Sequence, residues 1–270
     1  MRRILASVFL LCWACLMFVP ALGAQSSSGT VAQASDSPPA GILVELFTSE
    51  GCSSCPPADE LLRTLDERRN VLKTEIVVLG EHVDYWDGTG WRDRFSSREY
   101  TDRQAEYARR LGSREPYTPQ MVVDGKQELL GNNGHLLQAA LEKAATQSKA
   151  SVLIREADVD GSELKVKLEV GALPPGHKRG ELFVAVADNS DETPVKGGEN
   201  SGRELRHVAV LRSLQKVAKV GQEGLQKDFE IRLPRDLAKD NLRVVAFVQE
   251  PGNGGVIGAT VRILNEIATR

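Results

Sequence analysis

The sequence predicts an α/β domain over residues 41–148, with the element order βαβαββα, followed by an all-β, antiparallel, sandwich-like domain over residues 151–270. In the first half, short apolar runs alternate with helical patterns, which is typical of strands joined by helices. In the second half, only short alternating runs and turn signals remain. The length of 270 residues also favours two domains.

The elements of the first half follow from the hydrophobic pattern. The apolar run Ile42–Phe47 precedes a helical pattern that contains Leu61, Leu62 and Leu65. A second strand and helix come next, and then a hairpin with an Asp-Gly turn signal and a last helix. The first two strands are joined by a helix and should be parallel. The predicted elements are strands at 42–47, 74–83, 120–123 and 127–130 and helices at about 57–70, 97–111 and 134–147.

The second half predicts strands only. Apolar residues from Leu164 to Val170 alternate with charged ones, which is typical of a strand buried on one face. Similar runs recur between turn signals, as in antiparallel sandwiches. The polar, Gly-rich segment 189–201 is expected to be a flexible loop. The predicted strands are 152–159, 164–170, 182–187, 206–211, 229–233, 242–248 and 256–263.

The N-terminus indicates export. Arg2 and Arg3, the apolar run Ile4–Val19 and small residues before position 24 predict a signal peptide at 1–23. A retained membrane anchor is the alternative, although the apolar run is short against the roughly 20 residues of a spanning helix. Residues 24–40 are polar and predict a flexible linker. We therefore expect a periplasmic or extracellular protein that has no membrane contact after cleavage.

The charge balance argues against one class of partner. The chain has 34 basic and 37 acidic residues, a net charge of −3. Nucleic-acid-binding domains usually carry a strongly basic face, and this composition gives no indication of one. Nucleic acid is therefore not an expected partner.

A Cys-X-X-Cys pair carries the chemistry that the sequence indicates most directly. Cys12 and Cys15 lie in the predicted signal peptide, which leaves Cys52 and Cys55 between the first strand and the first helix. A helix N-terminus favours a thiolate over a thiol, as thiol–disulfide exchange requires. Cys52, nearer the loop, is the predicted nucleophile and Cys55 the resolving cysteine. A permanently oxidised structural disulfide is the alternative.

Three acidic residues near the cysteine pair could destabilise a thiolate through their negative charge. Glu50, Asp59 and Glu60 would disfavour it if their side chains point inward. The hydroxyls of Ser53 and Ser54 could instead donate hydrogen bonds to it.

The segment after the second strand, 82–91, should reach the same sheet edge as Cys52. His82 could act as an acid–base partner, or join Cys52 and Cys55 as a ligand of copper or another soft metal; a structural histidine is the alternative. Tyr85, Trp86 and Trp91 could bind a peptide or a small thiol. The remaining histidines are interpreted as helix-start or surface residues: His135, His177 and His207.

Residues 41–148 resemble the thioredoxin superfamily. Three motifs, Cys52–Asp59 (CSSCPPAD), His82–Asp87 (HVDYWD) and Tyr117–Gln120 (YTPQ), resemble a narrower group, the bacterial secreted thioredoxin-like proteins of unassigned function. The resemblance implies a thioredoxin-like first domain and no organic cofactor. It also implies that Pro119 is a cis-proline facing the cysteine pair, where it and Thr118 bind an extended substrate.

The resemblance further implies a role for Glu45. Thioredoxins place an acid in the first strand, six residues before the first cysteine, whereas Glu45 precedes Cys52 by seven. In that role Glu45 would accept a proton from Cys55; an edge or salt-bridged glutamate is the alternative.

These observations favour thiol–disulfide exchange on protein thiols, protein disulfides or small thiols, with a redox partner protein that the sequence does not identify. Two alternatives stay open. One is a copper or soft-metal binding protein that uses Cys52, Cys55 and His82. The other is a non-catalytic binding module with a structural disulfide. The second domain is expected to serve docking.

Overall fold

The strands and helices of the first half appear in the predicted order. The computed structural model describes residues 40–71 and 74–264, so the predicted signal peptide and all but the last residue of the linker lie outside the described residues. A two-residue strand is the one addition to the predicted elements. The elements are β1 (Ile42–Thr48), α1 (Pro56–Glu67), β2 (Asn70–Val71), β3 (Thr74–His82), α2 (Arg98–Leu111), β4 (Gln120–Val123), β5 (Gln127–Leu130) and α3 (Gly134–Ala145).

Local sequence explains where these helices begin and end. Pro occupies the first positions of α1, where its missing N–H costs no helical hydrogen bond. The Ser97 side chain caps α2 by accepting a hydrogen bond from the N–H of Glu99, and Asn133 caps α3 in the same way. Gly112 ends α2 with a φ of 85°, a conformation that favours glycine.

The second half is built of strands, two of which are longer than predicted. The 182–187 and 206–211 runs are the centres of strands that pair antiparallel from Arg179↔Gly221 to Pro194↔Glu204. Residues 189–194 therefore lie in a strand, and the expected flexible loop at 189–201 is wrong over that part. The elements are β6 (Val152–Asp160), β7 (Glu163–Val170), β8 (Arg179–Pro194), β9 (Glu204–Gly221), β10 (Leu225–Arg232), a 3₁₀ helix (Lys239–Asn241), β11 (Leu242–Gln249) and β12 (Val256–Ile263).

Strands of both halves hydrogen bond in one mixed sheet. Its order is β12-β11-β8-β9-β3-β1-β4-β5, with β2 paired to β3. The junction is a short parallel contact at Gly80↔Val210, between β3 and β9. A Cβ atom at Gly80 would lie 3.2 Å from the carbonyl oxygen of Val208, so glycine allows the two backbones to approach there.

The expected separate sandwich is wrong in one respect. A second sheet, β10-β7-β6, does pack across an apolar core onto β8 and β11, as in a sandwich. The facing layer, however, is the sheet that also contains β1 and β3. β9 covers the edge of β3, which would otherwise present unpaired backbone groups. The described residues belong to one compact unit, and the division into domains at 41–148 and 151–270 stays a prediction.

The helices lie on the two faces of the β1–β3 part of this sheet. α1 and α3 pack on the face that carries Val44 and Leu46. α2 packs on the opposite face, where Tyr100 belongs to the same apolar cluster as Leu43, and where Tyr107 packs edge to face against Phe47. Side chains alternate along β1, so neighbouring residues of this strand serve different clusters.

Candidate functional site

The cysteine pair forms a disulfide at the start of α1. Cys52 and Cys55 are bonded, and their Cα atoms are 5.4 Å apart, within the usual range for a disulfide. Cys55 is the N-cap residue of α1, and its carbonyl oxygen accepts hydrogen bonds from the N–H groups of Ala58 and Asp59 at 2.8 and 3.1 Å. The prediction that the helix begins at the pair is confirmed.

Both cysteines are fully buried, although Ser53 and Ser54 between them are exposed. The cover is the loop at 195–203, which joins β8 to β9. The side-chain amide of Asn200 donates hydrogen bonds to the carbonyl oxygens of Glu50 and Cys52, at 2.8 and 3.0 Å. The N–H of Ser53 donates to the Glu199 carboxylate at 3.1 Å. A segment that was expected to be flexible thus holds the main chain on both sides of Cys52.

Trp86 connects the cysteine turn to Thr118. The indole N–H of Trp86 donates a hydrogen bond to the Thr118 hydroxyl at 2.8 Å. A Cβ atom at Gly51 would lie 3.1 Å from the Cβ of Trp86, so the side chain packs directly against the turn before Cys52. The indole N–H of Trp91 donates to the Glu50 carboxylate at 2.7 Å. Their roles in substrate binding stay predictions.

Tyr85 and Pro119 lie at the same end of the sheet. Tyr85 is 42% exposed, and its ring centroid lies 6.4 Å from that of Trp86. The Thr118–Pro119 peptide bond is cis, as the resemblance implied. β4 begins directly afterwards and pairs with β1 at Phe47↔Gln120, so Pro119 lies beside the end of β1 that leads to Cys52.

Glu45 belongs to a cluster on the α2 face of the sheet. Its carboxylate is fully buried and accepts hydrogen bonds from the Arg103 guanidinium and the Tyr107 hydroxyl, each at 2.7 Å. Arg103 also lies 3.7 Å from the buried Glu81 carboxylate. The role of Glu45 as proton acceptor for Cys55 stays a prediction, and α1, which carries Cys55, packs on the other face.

His82 is buried and paired with Asp93. Its Nδ1 lies 2.6 Å from an Asp93 carboxylate oxygen, which also accepts the N–H of Glu50 at 2.9 Å. Burial lowers the pKa of His82, but the charge and hydrogen bond of Asp93 outweigh it and raise the pKa overall. Burial raises the pKa of Asp93, but the charge and hydrogen bond of His82 outweigh it and lower that pKa to about 2. The two side chains therefore form a buried ion pair.

The described residues do not bring a metal-binding group together. Among residues 40–71 and 74–264, no three His, Cys, Asp or Glu side chains form a group that could hold a metal ion. Cys52 and Cys55 are bonded to each other, and His82 is paired with Asp93.

His207 is the residue that the sequence interpretation misplaced. It is 3% exposed, and its ring centroid lies 4.7 Å from that of His82 in an edge-to-face contact. Its Nε2 is 3.6 Å from a Glu50 carboxylate oxygen, and its Nδ1 is 3.9 Å from an Asp59 carboxylate oxygen. A surface position is therefore wrong. The one available signal was the alternation at the start of β9, where Leu205, His207 and Ala209 are buried and Arg206 between them is exposed.

The acidic residues near the pair divide between interior and surface. Asp59 and Glu50 are buried, whereas Glu60 points to solvent and pairs with Arg63. The Thr48 hydroxyl donates a hydrogen bond to Asp59 at 2.9 Å. Burial raises the pKa of Asp59, and the nearby imidazoles offset this only in part. Burial also raises the pKa of Glu50, but nearby polar side chains, His207 first among them, lower it overall. We call Glu50, Asp59, His82, Asp93 and His207 the histidine cluster.

These observations define a mixed α/β protein with a buried disulfide at a helix N-terminus, beside a cluster of carboxylates and imidazoles. The chain belongs to the family described as "Protein of unknown function (DUF1223)", whose profile matches residues 43–249. A search of curated protein sequences finds no match.

Two solved structures are similar to the chain. Protein AGR_C_4864 from Agrobacterium tumefaciens shares 26% sequence identity, with a TM-score of 0.65 over 86% of this chain and 98% of that one. A domain of the outer membrane lipoprotein Omp28 from Porphyromonas gingivalis has 14% identity and a TM-score of 0.26, over 42% of this chain and 86% of that one. Within the described residues, no helix is both long enough and apolar enough to cross a membrane.

Proposed function

We propose that this chain is an exported protein of the thioredoxin superfamily that performs thiol–disulfide exchange through Cys52 and Cys55. Its substrates would be protein or small-molecule thiols and disulfides. The observation that carries the proposal is the disulfide at the first turn of α1, at the end of the sheet where β1 leads into Cys52. The helix N-terminus stabilises a thiolate, and the cysteines themselves transfer the electrons, so no organic cofactor is needed.

Three neighbouring features support a substrate site at this end of the sheet. The first is the backbone of Thr118 and Pro119, next to the cysteine turn. The second is Trp86, which contacts that turn and donates a hydrogen bond to Thr118. The third is the exposed ring of Tyr85. An extended peptide, or the cysteine-containing end of a small thiol, would meet aromatic side chains there.

Access to sulfur requires the loop at 195–203 to open. Cys52 is fully buried, and Asn200 and Glu199 hold the loop over it. The protein would therefore exchange disulfides slowly until a substrate or partner displaces this loop. The predicted signal peptide places the reaction in the periplasm or outside the cell, where disulfides persist.

A structural disulfide in a non-catalytic binding module is the second candidate. One observation favours it, which is the complete burial of both cysteines. The two candidates differ in reduction potential, because working oxidoreductases lie between about −120 and −270 mV and structural disulfides below about −300 mV.

Equilibration of the mature protein against glutathione, with alkylation of free thiols, measures this potential. We expect a value within the oxidoreductase range. Mixing with a disulfide-containing peptide should trap a mixed disulfide in Cys55→Ser, while Cys52→Ser should trap nothing and show no exchange. A potential below about −300 mV, together with no trapping in either variant, would replace the proposal with the structural disulfide.

A further inference from the structure

Asp59 lies next to Cys55 on α1. Its N–H donates a hydrogen bond to the Cys55 carbonyl oxygen, and residues four apart on a helix have neighbouring side chains, with Cβ atoms about 5–6 Å apart. Both side chains are buried. Asp59 is therefore the carboxylate that shares a helical turn and an interior face with the resolving cysteine.

His207 has no hydrogen-bond partner for either ring nitrogen among the described residues, although both nitrogens are buried. A carboxylate oxygen of Glu50, 3.6 Å from Nε2, is equally unpartnered. Buried polar atoms without partners are rare in native structures and require an explanation, of which a catalytic or redox role is one. The His207 imidazole thus lies between the carboxylates of Glu50 and Asp59, within 4 Å of each.

A path to solvent begins at Asp59. The carboxylate is 6% exposed and contributes to a surface cleft of about 170 Å³. The cleft is lined by Pro56, Asp59, Glu60, Glu204, Leu205 and Arg206. A proton on Asp59 can therefore exchange with water while the cysteines stay covered.

We infer that Asp59 and His207 form the proton site of the Cys52–Cys55 pair, and that β9 thereby contributes directly to the redox centre. Asp59 exchanges a proton with Cys55, and His207 sets the charge state of Asp59. This inference rests on the proposed function.

The proton transfer balances in both directions. In reduction, a substrate thiolate attacks Sγ of Cys52 and the Cys52–Cys55 bond breaks. Sγ of Cys55 leaves with the electron pair and takes the proton of the Asp59 carboxyl group. In oxidation, the Asp59 carboxylate takes the proton of the Cys55 thiol. The resulting thiolate attacks Sγ of Cys52 in the mixed disulfide, and the substrate leaves as a thiolate.

The pH dependence of this step has several contributors. Burial raises the pKa of Asp59, which keeps a proton available closer to neutral pH than an exposed carboxyl would. The charged, titratable or hydrogen-bonding groups around Asp59 come from β1, the cysteine turn, β3, the segment between β3 and α2, β9 and α1. They are Thr48, Glu50, His82, Asp93, His207, Glu60, Glu204 and Arg206.

The experiment measures how fast the glutathionylated intermediate is resolved. Reduced mature protein is mixed with oxidised glutathione, quenched with acid, alkylated and weighed by mass spectrometry between pH 5 and 9. We expect Asp59→Asn to slow resolution about 100-fold at pH 7, the order of a lost general base, and to flatten the pH profile. His207→Gln should shift the midpoint of that profile.

The controls remove similar groups outside the cluster. Glu60→Gln removes a carboxylate in the same helical turn and cleft, but an exposed one paired with Arg63. His135→Gln removes an exposed histidine on α3. Both should resolve within about twofold of wild type. If Asp59→Asn does not fold, Thr48→Val, which removes the hydrogen bond to Asp59, should shift the same midpoint.

The outcomes separate this inference from the proposed function. If wild type exchanges normally, and Asp59→Asn resolves the intermediate as fast as Glu60→Gln does, the inference is overturned and the proposed function stays in place. The inference would also be overturned if His207→Gln and Thr48→Val left the pH midpoint unchanged. Wild type without any exchange would remove both.

Discussion

Two buried polar clusters lie on opposite faces of the same two strands, and they differ in the cation that each contains. On the α2 face, Glu45 and Glu81 share the guanidinium of Arg103. On the α1 face is the histidine cluster, which has imidazoles in place of arginine. Adjacent residues of β3, Glu81 and His82, point into the two clusters, so one strand supplies both.

The difference separates a fixed charge from a titratable one. Arginine stays protonated at every accessible pH and holds carboxylates in place through a planar set of donors. Histidine changes its charge near neutral pH. The arginine cluster also includes the Gln249 amide and the Tyr107 hydroxyl. Each cluster keeps buried polar atoms without hydrogen bonds among the described residues, both Glu81 carboxylate oxygens in the first and both His207 nitrogens in the second. The first arrangement suits structural stabilisation and the second suits proton transfer.

The largest expected effect tests whether the Arg103 cluster stabilises the fold. Arg103→Ala would leave Glu45 and Glu81 buried without a cation, and removing one partner of a buried ion pair costs about 3–5 kcal/mol. Urea unfolding should show this loss. Arg109→Ala, on the exposed side of the same helix and paired only with Glu106, should have no measurable effect. Equal stability of the two variants would contradict the assignment.

The next effect concerns acid unfolding and the His82–Asp93 pair. His82 holds the pKa of Asp93 near 2, against an ordinary value of 3.8. The folded state therefore binds this proton less tightly than the unfolded state does. The corresponding stability, about 2 kcal/mol, is present above pH 4 and is lost as the pH falls towards 2.

Urea unfolding at pH 5 and at pH 2.5 measures this term. Asp93→Asn should lose less stability between the two values than wild type does. Asp102→Asn, which removes an exposed carboxylate from α2, should lose as much stability between these two pH values as wild type does. If Asp93→Asn loses as much stability as wild type, the His82–Asp93 pair does not contribute to acid unfolding.

A smaller effect tests what keeps the disulfide buried. Asn200→Ala removes two hydrogen bonds that hold the 195–203 loop over Cys52. At about 0.7 kcal/mol per hydrogen bond, the disulfide should be reduced by dithiothreitol about tenfold faster. Asn241→Ala removes a side-chain hydrogen bond to the main chain of Ser190, away from the loop, and should leave the rate unchanged. Equal rates in all three proteins would mean that the loop does not limit access.

The smallest effect concerns the exposed end of that loop. The Glu199 carboxylate accepts the Ser53 N–H, which lowers the pKa of Glu199. Because the contact is exposed to solvent, Glu199→Gln should accelerate reduction only about twofold, and the difference should vanish in high salt. Glu192→Gln serves as the control. A tenfold effect would instead make Glu199 the main fastening of the loop.

Local patterns predicted the first half of the fold well. β1, α1, β3 and α2 lie within a few residues of their expected bounds, and the strands Gln120–Val123 and Gln127–Leu130 match at both ends. These elements depend on apolar spacing, proline and helix caps, which act over a few residues. The predicted bounds of β8 and β9 were too short. Polar residues extend a strand wherever a partner strand continues alongside, and apolar spacing does not show this.

The candidate site was predicted only in part. The cysteine pair and its place at the start of α1 followed from sequence, and the cis-Pro119 bond followed from the resemblance. His207 did not, because it lies 155 positions after Cys52 in the chain and a lone strand histidine has no local pattern that marks it. The inward direction of Asp59 and Glu50 depends equally on what packs against them.

The sequence by itself determined the order of elements and the position of the Cys-X-X-Cys disulfide, since both depend on interactions between residues close in the chain. Only the tertiary structure decided that the disulfide is covered and that carboxylates and imidazoles surround it. Both depend on β9 pairing with β3 at Gly80↔Val210, a contact between residues 130 positions apart. Alternating apolar residues show that a strand will form, but any free sheet edge satisfies its hydrogen bonds, so the choice of edge is made by the packing of the whole molecule.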